Sequence, residues 1–202
     1  ADRIIKPDSG DQLVLQDEGG TSAISIAAAG DVSITEDMIL GDGKYIGPSS
    51  APSAMLFDSS GAVTKPSQPA FSVYPTSSQT SPANAATVVW GTEVYDIGGN
   101  FASNTFTAPV TGKYQFNVIL RANIVDKDNT FTRVKLVTSK LIYTCIVGQQ
   151  GAGTDPTYWT YQLSTLADMD SSDTCLVRWE FSGGVTCSSI DLNSFFNGFL
   201  VC

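Results

Sequence analysis

Thr105-Phe106-Thr107-Ala108-Pro109-Val110-Thr111-Gly112-Lys113-Tyr114-Gln115-Phe116 is the stretch that decides the fold, and Val94-Tyr95-Asp96-Ile97-Gly98-Gly99-Asn100-Phe101 leads into it. Pro109 and Gly112 bracket a tight turn, since proline presets φ and glycine accepts conformations other residues avoid. Beyond the turn, Tyr114 to Leu120 alternates, with Tyr114, Phe116, Val118 and Leu120 on one face. That is the period of a strand with one face buried. Large aromatics on that face fill the space between two packed sheets.

Working outward, the same pattern recurs. Thr87 to Trp90, Phe131 to Val137, Leu141 to Val147, Tyr158 to Leu163, Thr174 to Phe181, Val185 to Ile190 and Phe195 to Val201 read as strands. Gly/Asp/Pro clusters at 96–100, 109–112, 126–129, 148–156, 168–173 and 182–184 separate them. No window carries a 3.6-residue period. Many short strands at such spacing predict an all-β sandwich or jelly roll.

Composition narrows the function. The 202 residues contain 15% charged residues and no histidine. Without histidine, the Ser-His-Asp and Cys-His nucleophile systems and most zinc sites are excluded. A net charge of −9 gives nucleic acid and anionic membranes no global reason to bind. No apolar run is long enough to span a bilayer. The start, Ala1-Asp2-Arg3-Ile4-Ile5-Lys6-Pro7, lacks the apolar region of a signal peptide, so a signal was removed or never present.

The chain divides near Gln68. Residues 1–67 hold only Tyr45 and Phe57 of the 20 aromatics and carry four basic against ten acidic residues. Such a segment does not bury a conventional core alone. Yet Gln12 to Gln16, Ala23 to Ala27, Val32 to Thr35 and Met38 to Leu40 are short apolar or alternating bursts closed by Gly/Asp turns. They predict a β-rich stalk or docking arm, with a disordered tail as the competing reading. Residues 47–69, with Pro48, Pro52, Pro66 and Pro69, read as a linker or extended arm containing a contact point at Met55-Leu56-Phe57.

The stretch from Val94 to Phe116 resembles the signature of the C1q-like domain. Pro69-Ala70-Phe71-Ser72-Val73 is similar to that domain's first strand, and Phe195-Phe196-Asn197-Gly198-Phe199-Leu200-Val201 to its last. The resemblance covers about two-thirds of the chain. It implies a ten-stranded C1q/TNF-like jelly roll over 68–202 that assembles as a homotrimer. The signature residues carried over for core and trimer are Phe71, Tyr95, Phe106, Pro109, Gly112, Tyr114, Phe116, Phe196, Gly198 and Phe199. Gly198 is expected to allow a close approach in the last strand. There is no collagen-like Gly-X-Y stretch upstream. The β-rich arm before a compact head resembles bacteriophage fibres and capsid decoration proteins, and a chain opening at Ala1 fits a virion protein made without a signal.

Candidate chemistry is sparse. Cys145, Cys175, Cys187 and Cys202 form no CxxC pair. If Gly183-Gly184 closed a two-residue hairpin turn, Cys175 and Cys187 would be out of register, so they read mostly as buried reduced thiols. Asp126 and Asp128 could offer oxygen ligands to calcium, against the simpler reading of a solvated turn. Tyr158 and Trp159 are candidate glycan contacts, against a core or interface role; Trp90 and Trp179 read as core. The expectation is a non-enzymatic virion protein, a homotrimer whose arm at 1–67 meets other particle proteins and whose head faces a host-surface glycan or protein. The alternative is a secreted C1q-like lectin or adhesion module.

Overall fold

The computed structural model describes residues 44–46, 54–149 and 151–202, which fall in one compact unit, Asp42–Cys202. The strands expected before residue 44 lie outside the described residues. Strands β1 (Lys44–Ile46), β2 (Met55–Phe57) and β3 (Val63–Thr64) form a small antiparallel sheet in that order. Part of the stretch expected as a linker is therefore a sheet, with Met55-Leu56-Phe57 as its central strand. Asp58 closes the β2–β3 turn by accepting from the backbone N–H of Ser60 at 2.8 Å and of Ala62 at 2.9 Å.

The remaining strands build a two-sheet sandwich. In chain order they are β4 (Ala70–Tyr74), β5 (Gln79–Thr80), β6 (Ala86–Thr87), β7 (Thr92–Ile97), β8 (Phe101–Ala102), β9 (Thr105–Thr107) and β10 (Gly112–Asn123). Then come β11 (Asn129–Thr138), β12 (Ile142–Val147), β13 (Tyr158–Met169), β14 (Thr174–Gly183), β15 (Ser189–Ile190) and β16 (Phe195–Leu200). The front sheet runs β13-β10-β16-β4-β7, with β15 and β5 extending it beside the far end of β10. The back sheet runs β12-β11-β14-β9-β8, with β6 also paired to β14. All pairings are antiparallel, which gives the jelly-roll class expected from the pattern.

Alternation decides which side chains meet. From the front sheet, Phe71, Tyr114, Phe116 and Phe196 point inward; from the back, Phe106 and Trp179 do, and all six are buried. Phe71 stacks on Phe101 and Phe106, both at 4.9 Å between ring centres, and meets Phe196 edge-on at 4.9 Å. Such pairs add roughly 0.5–1.5 kcal/mol each beyond the area they bury. Gly198 on β16 lies under this cluster. A Cβ there would come within 2.5 Å of the Phe116 ring and 2.9 Å of Phe71, so the close approach is made by aromatic rings. The Pro109–Gly112 turn is closed by the Tyr114 hydroxyl, which donates to the Val110 carbonyl at 2.8 Å.

Several strand limits differ from the sequence reading. β13 continues through Asp168, placed among the breakers, because Ala167 and Met169 stay buried while Asp168 points outward to Lys113. β14 likewise runs through Ser182 and Gly183, with Gly183 opposite Asn129 at a positive φ of 82°. The strand expected over Val185 to Ile190 shrinks to Ser189–Ile190, because the chain there crosses from the back sheet to the front. The strand expected over Thr87 to Trp90 stops at Thr87; Trp90 is buried as expected and so is Val88, but only Val88 keeps a ladder-like bond, to Val177 at 2.9 Å. β14 and β15 lie in different sheets, so no two-residue hairpin at Gly183-Gly184 pairs the strands that carry Cys175 and lead on from Cys187. Both thiols are buried and unpaired, and no disulfide joins the four cysteines.

Candidate functional site

The front sheet turns one face to the core and leaves the other open. β13, β10 and β16 are in register, so their outward side chains form rows across the sheet. One row is Leu166, Gln115 and Phe199; the next is Ser164, Asn117 and Asn197; the third is Gln162, Ile119 and Phe195. The apolar members are large and exposed: Leu166 by 52%, Phe199 by 44%, Phe195 by 41% and Ile119 by 39%. Single exposed apolar side chains are ordinary, but large ones grouped on one face are informative.

The middle row is a hydrogen-bonded network. Gln115 Nε2 donates to Ser164 Oγ at 2.9 Å, Ser164 Oγ donates to Asn117 Oδ1 at 2.8 Å, and Asn117 Nδ2 donates to Asn197 Oδ1 at 3.0 Å. A depression of about 310 Å³ opens between Asn117, Ile119, Gln162 and Ser164. The face thus carries a hydrogen-bonded polar band flanked by two mainly apolar rows, each holding one glutamine, Gln115 or Gln162.

Charge is confined to its two ends and is internally paired. At one end Asp168 bridges Lys113 and Lys140, the latter at 3.1 Å. The Lys113 hydrogen bond, then that of Lys140, holds the Asp168 carboxyl below the usual carboxylate range. At the other end Arg121 pairs with Asp191, its Nε donating at 2.8 Å. Burial pushes the Asp191 carboxyl up, but Arg121 and the Asn193 donors outweigh it and hold it low.

The sequence-derived candidates are dispersed. Phe71, Phe106, Tyr114, Phe116, Phe196 and Gly198 line the core, whereas Tyr95 and Phe199 are exposed on the front sheet. Pro109 and Gly112 flank the turn that starts β10; a Cβ on Gly112 would lie 2.5 Å from the Cys202 carbonyl oxygen. Tyr158 is 62% exposed, its ring 4.9 Å from the Arg121 guanidinium carbon. Trp159 points the other way and packs against the core. Asp126 accepts backbone N–H bonds from Asp128 at 2.9 Å and from Val185, at 2.6 Å, while Asp128 binds Lys127 Nζ at 2.7 Å. Those backbone bonds hold the Asp126 carboxyl below its ordinary value. Among the described residues no group of three or more Cys, Asp or Glu is placed to hold a metal ion.

The sequence reading missed the layered face. Its signal was present in the positions between the core residues: Gln115, Asn117 and Ile119 on β10, and Phe195, Asn197 and Phe199 on β16. Outward positions filled with amides and large apolar groups, not Lys or Glu, set this face apart from an ordinary charged surface.

The comparisons with known proteins agree with this architecture. The C1q domain family model matches residues 70–201. Among solved structures, the globular domain of zebrafish complement 1qA protein is similar at 19% identity and a TM-score of 0.53, over 67% of this chain and 98% of that one. Murine APRIL is similar at 12% identity and a TM-score of 0.49, over 66% of this chain and 99% of that one. No curated protein matches the chain. The extent of the family match, about two-thirds of the residues and the whole sandwich from β4 to β16, means that the chain belongs to the C1q domain family.

Proposed function

We propose that this protein is a non-enzymatic binding head that works as a homotrimer, closing the front-sheet faces of three copies against one another. The observation that carries the reading is the polar band flanked by two mainly apolar rows on that exposed face. Its end charges are already paired within the chain, so the face offers little to a charged foreign partner and much to a copy of itself.

Within that reading the protein is a structural component of a bacteriophage virion. Residues 1–67 attach the head to other particle proteins, and the sandwich projects outward for host-surface adhesion. The support is architectural: an aromatic-poor, Gly/Asp-punctuated arm joined to a C1q head without a collagen-like segment. The secreted adhesion-module reading predicts oxidised cysteines, so a thiol count on the native protein separates the two readings.

Native mass of the full chain, and of a form cut near residue 67, tests the assembly. A trimer in both is expected and places the assembly energy in the head. A monomer in both overturns the homotrimer. Detection of the chain in purified particles by mass spectrometry tests the location, and its absence from them removes the virion assignment.

A further inference from the structure

In a chain of net charge −9, the outward face of the back sheet gathers Arg133, Lys135 and Arg178 around one carboxylate. The β11–β14 register sets Arg133 opposite Glu180 and Lys135 directly opposite Arg178. Glu180 is fully engaged: it accepts from Arg133 Nε and Lys135 Nζ, each at 2.7 Å, and its side chain is only 13% exposed. Arg178 has no carboxylate within ion-pair reach and no hydrogen-bond acceptor among the described residues, and its Nε is covered by protein without a partner.

This arrangement is unfavourable on its own. Like charges directly opposite on neighbouring strands repel, and a covered donor without an acceptor has lost its water for nothing. The repulsion is relieved when an anion bridges the solvent-facing part of the half-buried guanidinium and the ammonium, a pairing suited to a planar carboxylate or a sulfate; the covered Nε stays out of its reach. The surroundings fit a sugar bearing that anion. The same row ends in hydroxyls, Thr144 beside Lys135 and Thr87 opposite Arg178. The adjacent row, Ile142, Val137 and Leu176, is an apolar strip suited to the flat face of a pyranose ring. The overall negative charge opposes a dense polyanion such as nucleic acid but not one acidic group per sugar.

We propose that Arg178 and Lys135 form a binding site for the carboxylate or sulfate group of an acidic polysaccharide. This rests on the reading of the protein as an adhesive head and names the chemistry of what it adheres to.

The test is titration calorimetry on the full chain with uronic-acid and sulfated oligosaccharides, their neutral counterparts, and inorganic sulfate. Acidic oligosaccharides should bind, more weakly as salt rises, and neutral ones should not. Arg178→Gln should lower the affinity at least tenfold while leaving the thermal midpoint unchanged or raised, because it removes the repulsion with Lys135. Glu180→Gln should bind the acidic sugar more tightly. Equal binding of neutral and acidic sugars, or binding unaffected by Arg178→Gln, overturns the site, as does a lowered midpoint with binding retained. Inorganic sulfate binding as well as the oligosaccharide removes the sugar from the proposal. Affinity is read per chain, so a native mass on the same sample separates failure of this site from failure of the trimer.

Discussion

Asn117 on β10 donates to Asn197 on β16 at 3.0 Å, and on the open face of the front sheet this amide pair sits between the exposed pairs Leu166 and Phe199 on one side and Ile119 and Phe195 on the other. Buried in a self-association interface, the polar atoms of this row that are not already bonded within the chain need partners from the facing copy, which one register supplies and a shifted one does not. A polar residue inside an otherwise apolar contact specifies register and copy number at a cost in stability. The replacement Asn197→Leu should therefore stabilise the assembled form, raising its thermal midpoint by a few degrees for about 1 kcal/mol, while its native mass spectrum broadens from a single species to several. A sharper or unchanged distribution would show that the amide row does not select the assembly.

Gly198 gives a prediction on the core. A side chain there meets Phe116 at 2.5 Å and Phe71 at 2.9 Å from its first carbon alone, and both rings are fully buried among other aromatics. The rings cannot swing aside without breaking the stacking of Phe71 on Phe101 and Phe106. Gly198→Val should cost at least the roughly 1–3 kcal/mol typical of core overpacking, read as a lower denaturant midpoint. Gly99 has open space around a Cβ but a positive φ of 65°. Gly99→Ala should therefore cost about 1 kcal/mol or less, through backbone strain alone.

These two sites differ in how far the sequence revealed them. The core face of β10 was readable because Tyr114, Phe116, Val118 and Leu120 alternate without interruption, and the tight approach at Gly198 follows from a glycine inside an aromatic strand. The outward rows were not read, because they appear only when three strands distant in sequence are laid in register: Leu166, Gln115 and Phe199 have no common signal along the chain. The cationic cluster on the back sheet was hidden for the same reason, with Lys135 and Arg178 separated by more than one intervening strand. Polarity does not mark the strand limit at Asp168: it is polar because it faces Lys113 and Lys140, while its neighbours remain in the core.

Acid should weaken the head through identifiable carboxylates. Asp126, Asp168 and Asp191 lie below their ordinary value of 3.8, and Glu180 below 4.5. For Glu180, burial pushes the carboxyl up, but Lys135 and Arg133 outweigh it. Each group binds its proton less readily folded than unfolded. Their stabilising contribution is therefore present above the ordinary value and is lost as pH falls through the folded one. Thermal midpoints should hold steady above about pH 5 and fall steeply below about pH 4. Asp191→Asn should flatten that fall; an unchanged acid slope would mean that the Arg121 pair contributes nothing to it.

At the alkaline end the informative group is Tyr161, buried opposite Trp179 at 5.3 Å between ring centres. Burial raises its phenol from 10.0 to about 12, against the opposing hydrogen bonds of Thr132 and Gln149. A raised folded value means that the proton is held more tightly in the folded state. The contribution is complete below the unfolded value of 10.0 and is lost as pH rises toward about 12. Burial acts in the same sense on the Cys187 thiol, raised from 9.0 to about 11. Burial raises the Tyr114 phenol as well, so ultraviolet titration of the native protein should show at least two tyrosines fewer ionising near pH 10 than in the unfolded chain, Tyr161 among them and appearing only as the sandwich opens. In Tyr161→Phe the late signal should shrink by one tyrosine and leave that of Tyr114. The loss of stability at neutral pH should be modest, about 1 kcal/mol, because Gln149 Nε2 still donates to Thr132 Oγ1 at 2.7 Å. Ionisation of Tyr161 near pH 10 in the folded protein would mean that water reaches its hydroxyl and that the loop carrying Gln149 does not seal this end of the core.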